Sequence, residues 1–261
     1  MKKLSISFLL TFGVVAATGM GCGSSKGGGG KGIPLVASDM GFFDGNNDAG
    51  ILGAWYSYGD WYNPAPGAGD CAVMGMFTAD QCSQITTPIP GQPFTNAGDG
   101  KLCTTGTAAK VIMDSTGATA YSAIWGAGIG FDLNNGGTDD GGTGMKAAWD
   151  ATAHMVTGFA FDIDSPPVGG QMRVEFPTNA APGVTDINSA YWGGETMNLS
   201  PFTKAGTQSF HWADVGGPMY LTPHMAFDKT KIISMQFHVV TNTSSAIPYS
   251  FCISNLRALQ D

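Results

Sequence analysis

QMRVEF (171–176) and IISMQFHVV (232–240) are the stretches whose reading decides the fold. In the first, Met172, Val174 and Phe176 alternate with Gln171, Arg173 and Glu175. In the second, Ile233, Met235, Phe237 and Val239 alternate with Ser234, Gln236 and His238. Side chains two apart on a strand share a face, so each run has one apolar and one polar side. Such strands belong to antiparallel sheets with one face on a core, and two of these sheets packed together make a sandwich.

The rest of the chain repeats the signal. ILGAWYSYGDWY (51–62), AKVIMD (109–114), MVTGFAFDI (155–163), TQSFHW (207–212) and YSFCISNLRAL (249–259) are β-branched or aromatic runs bounded by Gly, Pro, Asn and Asp. No stretch longer than about ten residues holds a helical period without Gly or Pro. GAGIG (126–130) leads into Phe131 and a loop, not into a helix, so it reads as a glycine-bearing strand and not a nucleotide loop. The connections 63–108 and 134–150, rich in Gly, Pro and Asp, read as surface loops. The expected fold class is all-β, an antiparallel β-sandwich in a single domain spanning 33–261.

The first residues place Lys2 and Lys3 before an apolar run from Ile6 to Ala17, then small residues up to Gly21: the layout of a secretory signal peptide over residues 1–21. Gly19, Gly21 and Cys22 resemble a lipobox, whose cysteine receives diacylglycerol after cleavage. The resemblance implies an exported lipoprotein of the cell envelope, anchored to the outer membrane through Cys22. Residues 22–32 continue as a Gly/Ser-rich tether, which by random-coil scaling spans roughly 15–20 Å.

Loss of Lys2 and Lys3 takes the net charge from −8 to −10, which disfavours nucleic acid and anionic lipid headgroups as partners. The remaining cysteines, Cys71, Cys82, Cys103 and Cys252, are even in number in an exported chain and read as two disulfides. Four cysteines admit three pairings. The easy local closure makes Cys71–Cys82 the expected one, with Cys103–Cys252 tying the long insertion to the last strand.

Around these features the phrases WYSYGD (55–60), FDID (161–164), QMRVEF and YSFCISNLRAL resemble the galactose-binding-like jelly rolls of many carbohydrate-binding modules. GILGAWYSYGD (50–60), YSAIWGAGIGFDLN (121–134), RVEFP (173–177) and SFCISNL (250–256) resemble Gly-rich exported lipoproteins of myxobacteria and related groups. The likeness covers most of residues 45–258. It implies a jelly-roll sandwich, with activity left to the site.

Candidate site residues follow from the alternation. The polar sides of the two deciding strands bring Gln171, Arg173, Glu175, Gln236 and His238 to one face, a mixture of amide, guanidinium, carboxylate and imidazole that suits sugar hydroxyls. Tyr191 and Trp192 follow Pro182 on an expected loop and are the candidate stacking rings. The aromatic group Trp55, Tyr56, Tyr58, Trp61 and Tyr62 also offers rings for sugar stacking; Trp55 and Trp61 share one face and Tyr56, Tyr58 and Tyr62 the other, so one set belongs to the core. Trp125, Trp149 and Trp212 read as packing residues.

DLNNGGTDDGG (132–142) sets Asp132, Asn134, Asp139 and Asp140 among glycines, oxygen ligands on a bendable backbone that would suit a structural Ca²⁺. FFDGNND (42–48) is a second such segment. Enzyme signatures are thin: there is no G-x-S-x-G nucleophile elbow, since GSSKG (23–27) lies in the tether, there is no H-E-x-x-H, and the only glutamates are Glu175 and Glu195.

The expected function is therefore a surface-anchored lipoprotein with a non-catalytic module for a neutral glycan or a cell-envelope polymer. The alternative is a structural or protein-interaction lipoprotein of the envelope, and a glycoside hydrolase comes third.

Overall fold

The alternating runs become strands of two antiparallel sheets packed face to face. The computed structural model describes residues 32–61, 71, 77–90, 92, 94, 100–113, 117, 120, 121, 123–135, 146–167, 172–178, 196, 197, 204–215 and 227–260. Among them run strands β1 (Gly32–Pro34), β2 (Phe42–Asp44), β3 (Leu52–Gly59), β4 (Gln84–Thr87), β5 (Lys101–Ala108) and β6 (Gly126–Asp132). There follow β7 (Gly158–Asp164), β8 (Met172–Glu175), β9 (Thr196–Met197), β10 (Gly206–His211), β11 (Ser234–Val240) and β12 (Ile247–Leu259). One sheet has the order β10-β7-β12-β5-β4 with β1 paired to β12, and the other the order β2-β3-β6-β11-β8-β9. After β5 the chain changes sheet at nearly every connection, so neighbours within a sheet are distant in sequence, as the jelly-roll expectation requires.

The core lies between the sheets, where the apolar halves of the alternating patterns meet. Phe161 of β7 meets Phe237 of β11 edge-on at 4.9 Å between ring centroids. Phe131 of β6 meets Phe159 of β7 at 6.4 Å. Met172, Val174 and Phe176 are buried on the same side. Each such ring contributes about 1.5–3 kcal/mol by leaving water. Trp149 and Trp212 are also buried, as expected of packing residues, and Trp55 belongs to the core.

β12 is the spine of its sheet. Along one edge it pairs with β5 through residues 247–254 and then with β1 through 257–259, while β7 runs along the other edge. Its register shifts between Ser254 and Arg257, where Asn255 adopts φ 49°. Asparagine enters that left-handed region more readily than most residues, so a bulge is accommodated there.

Three local expectations are corrected. The segment 63–108 is not all surface loop: it carries β4 and β5, because Leu102 and Thr104 alternate with exposed Lys101 and Cys103 and supply an inward face. Of AKVIMD (109–114), the described residues 109–113 form no strand; Lys110 makes an isolated bridge to Asn242. Ala109 and Val111 turn into a small satellite core with Cys71, Phe77, Cys82, Ala120, Ala123 and Ile124. The connection 134–150 likewise ends in core, with Trp149 buried and its indole N–H donating to the Ala49 carbonyl at 2.9 Å.

The disulfides are Cys71–Cys82, which closes the satellite core, and Cys103–Cys252, a pair directly opposite each other across β5 and β12.

Candidate binding face

The side of the β3-β6-β11-β8 sheet that faces away from the core gathers the chemistry. Pairing fixes its rows: Tyr56 stands beside Gly130, Gln236 and Glu175, and the next row is Tyr58, Gly128, His238 and Arg173. The middle strand β6 has glycine at each of these outward positions and Ala127, Ile129 and Phe131 on its core side.

The glycines have a geometric consequence. Strands two apart in a sheet are separated by roughly 9–10 Å, yet Gln236 Nε2 donates to the Tyr56 hydroxyl at 3.1 Å across the top of β6. A Cβ at Gly130 would come within 3.0 Å of Gln236 Cγ and 3.2 Å of the Tyr56 hydroxyl. The missing side chain is what lets the neighbouring strands touch over it. In the adjacent row the Tyr58 and His238 rings approach to 5.9 Å over Gly128.

A charged network lies beside the rings. Arg173 Nε donates to Glu175 Oε1 at 2.5 Å, and His238 Nδ1 lies 2.7 Å from the same oxygen. The other imidazole nitrogen, Nε2, faces the Trp125 carbonyl at 3.1 Å. Burial pushes the Glu175 carboxyl up, but the neighbouring His238 and Arg173 outweigh it and hold the group down at about 2. Burial and the Glu175 charge push the Tyr58 phenol well above its ordinary range. The buried Tyr58 hydroxyl and Gln236 Oε1 have no hydrogen-bond partner among the described residues.

Lys146 closes the other end. Its Nζ pairs with Asp132 Oδ1 at 2.8 Å and sits 4.7 Å from the centre of the Tyr56 ring. Burial pushes the Asp132 carboxyl up, and Lys146 pulls it partly back.

Asp60 positions Trp125. Fully buried, it accepts from the Ser83 amide (2.8 Å) and hydroxyl (3.0 Å) and from the amides of Trp125 (2.7 Å) and Gly126 (2.5 Å). Burial raises its carboxyl, with these bonds opposing. The bonds hold the half-buried Trp125 ring at 6.1 Å from Tyr58 with planes 23° apart, and the Tyr56 ring continues the row at 5.9 Å from Tyr58.

Of the residues named from sequence, Arg173, Glu175, Gln236 and His238 come together here, but the face is no freely solvated one: Gln236 is 1% and His238 4% exposed. Gln171, Tyr191 and Trp192 lie outside the described residues, as do Cys22, Asp139 and Asp140. Asp132 is engaged by Lys146, and Asn134 donates its amide to the Ala148 carbonyl at 3.0 Å. Asp44 in the second acidic segment accepts from Asn46 in a local turn. No three metal-ligating side chains gather among the described residues. Tyr56 and Tyr58, from the aromatic group considered for sugar stacking, join the face, and Lys146 and Trp125 join it without having been named as its residues. Trp125, read as a packing residue, lies at its rim instead. Their signals were the shared parity of Tyr56 and Tyr58 and the G-x-G-x-G spacing that bares β6.

A second hollow, of about 610 Å³, lies by the β12 bulge on the other sheet, lined by residues including Leu35, Lys101, Asp162, Thr207, Asn255 and Arg257. Its carboxylates are committed: Asp162 accepts from Thr207 (2.6 Å) and Asn255 (2.5 Å), and the neighbouring Asp164 accepts from the Cys252 amide (2.8 Å) and pairs with Lys101 (2.6 Å). No aromatic ring lines it among the described residues. The aromatic face on the β3-β6-β11-β8 sheet is therefore the better candidate.

No family model matches the chain, and no curated protein matches it. Solved structures do. The chain is similar in fold to carbohydrate-binding modules. One is the family 11 module of the cellulosomal cellulase Lic26A-Cel5E of Clostridium thermocellum, 16% identical over 79% of this chain and 88% of that one, with a TM-score of 0.39. Another is the family 11 module from Clostridium thermocellum in complex with a β-1,3-1,4-mixed-linked tetrasaccharide, 14% identical over 88% of this chain and 97% of that one, also at 0.39. The β-sandwich assignment itself rests on the strand pairings described above.

Proposed function

We propose that the outer face of β3, β6, β11 and β8 binds carbohydrate without chemically altering it, in an exported protein held to the cell envelope through a lipidated Cys22. The observation that carries this reading is the row of Trp125, Tyr58 and Tyr56 rings running beside the Arg173–Glu175–His238 network. Rings offer apolar faces to the C–H surface of a pyranose, and the adjoining donors and acceptors match its hydroxyls.

The charge states support binding over catalysis. A glycosidase needs a carboxylic acid that holds a proton and a second carboxylate across the scissile bond. Glu175, held at about 2, is a poor proton donor near neutrality, and Asp132, the other carboxylate on this face among the described residues, is paired with Lys146.

A glycan-array screen of the exported chain carrying Cys22→Ala tests the reading, with Trp125→Ala as the matched control. Retention of specific glycans by the parent and not by the Trp125 variant is the expected result. Glycans bound equally by both place any ligand elsewhere, and an array with no bound glycan favours the protein-interaction reading.

A further inference from the structure

We propose that Phe42 is a further ligand-stacking ring, forming an edge subsite through which this face takes a run of several sugar units along β3. The inference rests on the carbohydrate reading above and extends its site to the edge of the sheet.

The placement follows from register. β2 is the edge strand beside β3, and Phe42 stands opposite Ala54. Along β3 the Trp55 side chain belongs to the core, so Ala54, Tyr56 and Tyr58 share the outer face. Phe42 is on that face too. Its neighbour Phe43 takes the core side, 2% exposed, with its ring 5.3 Å from Phe131 and 6.3 Å from Trp55. Outward positions on one strand recur about every 7 Å, and diagonal neighbours on adjacent strands lie roughly 7–8 Å apart, within reach of aromatic side chains. Phe42 therefore stands one step beyond Tyr56. Tyr56 in turn stands one step beyond Tyr58, at 5.9 Å between centroids, and Tyr58 one step beyond Trp125, at 6.1 Å. The four residues follow β3 from the Trp125 rim to the β2 edge. Rings spaced in this way cannot all stack on one pyranose, so filling the row takes a chain of units.

Exposure separates Phe42 from a packing residue. It is 40% exposed, while Phe43 fills the core beside it, so Phe42 contributes little to folding. A single exposed ring needs no explanation. This one stands on a three-residue edge strand, where a bare apolar side chain invites pairing with other chains and charged residues are the usual guard, and it falls in line with the rings already on the face. Ala54, opposite it, carries only a methyl group and leaves room above β3 between Phe42 and Tyr56. Phenylalanine has no hydroxyl, so what it offers is an apolar surface for the C–H face of a sugar.

The test is a length series. Cello-, xylo- and chito-oligosaccharides, from disaccharide to hexasaccharide, are titrated against the exported chain carrying Cys22→Ala and against the same chain with Phe42→Ala or Phe42→Tyr. Affinity of the parent should rise with length in at least one series. Phe42→Ala should lower hexasaccharide affinity by about threefold to tenfold and disaccharide affinity by less. Phe42→Tyr, which keeps a ring, should restore the length dependence. Because Phe42 lies outside the core, both variants should keep the parent's near-UV circular dichroism and melting temperature. Equal affinities for parent and Phe42→Ala at every length, or the same loss at every length, overturn the edge subsite and leave the carbohydrate reading standing. A parent that binds no length of any series also overturns the edge subsite, and a glycan array that is empty as well takes the carbohydrate reading with it.

Discussion

Replacing Glu175 by Gln removes the charge that Arg173 and His238 share, and its cost can be worked out in advance. The carboxyl is held at about 2 against an ordinary 4.5, chiefly by His238 and Arg173 acting against burial. At ~1.4 kcal/mol per tenfold, that difference corresponds to about 3 kcal/mol favouring the ionised, folded form. With the side chain only 16% exposed, solvent screening reduces this little. The sign follows from linkage: a group whose carboxyl is depressed on folding stabilises fully above its unfolded value and loses that contribution as pH falls toward the folded one. Wild type should therefore exceed Glu175→Gln by about 3 kcal/mol at pH 6, and the gap should close between pH 4.5 and pH 2. The raised carboxyls of Asp60 and Asp132 are present in both proteins and cancel in the comparison. Urea unfolding of the disulfide-intact proteins at a series of pH values measures it. A gap that stays constant from pH 6 to pH 2, or no gap at pH 6, would refute the shared-carboxylate reasoning.

Three further outcomes are expected. Gly130→Val should separate Gln236 from Tyr56 and press on the Met235 carbonyl, which lies 2.8 Å from a Cβ at that position. We expect a loss of about 1–3 kcal/mol, seen as a lower melting temperature, together with loss of ligand binding; a variant as stable as the parent would show that β6 has room there. Removing Cys103–Cys252, of sequence separation 149, should cost about 5 kcal/mol by chain entropy against about 3 kcal/mol for Cys71–Cys82, of separation 11. Urea midpoints of the paired Cys→Ser variants check this ordering, and the reverse order contradicts it. Cys22→Ala should release the protein from membranes, and an intact-mass measurement of wild type showing an unmodified mature N-terminus rules the anchor out.

What the sequence determined by itself was the alternation. A period of two in QMRVEF and IISMQFHVV requires one apolar and one polar face whichever strands lie alongside, so the sandwich, the shared face of Arg173 and Glu175, and the shared face of Gln236 and His238 were legible from residue order alone. The spacing of Cys71 and Cys82 pointed to the local disulfide for the same reason, since the information is short-range. Strand neighbours are not short-range. Only the tertiary structure placed β6 between β3 and β11, and only then did Gly130 and Gly128 become a gap over which Tyr56 meets Gln236 and Tyr58 approaches His238. β11 lying beside β8 brought one carboxylate between Arg173 and His238, drawn from strands some sixty residues apart, as the separation of 63 between Glu175 and His238 records. The buried state of Gln236 and His238, the turn of Trp125 to the rim through Asp60, and the entry of β5 beside β12 all depend on pairings that no local pattern encodes. A period tells a residue which way to face; what it meets there is settled by strands that the chain reaches much later.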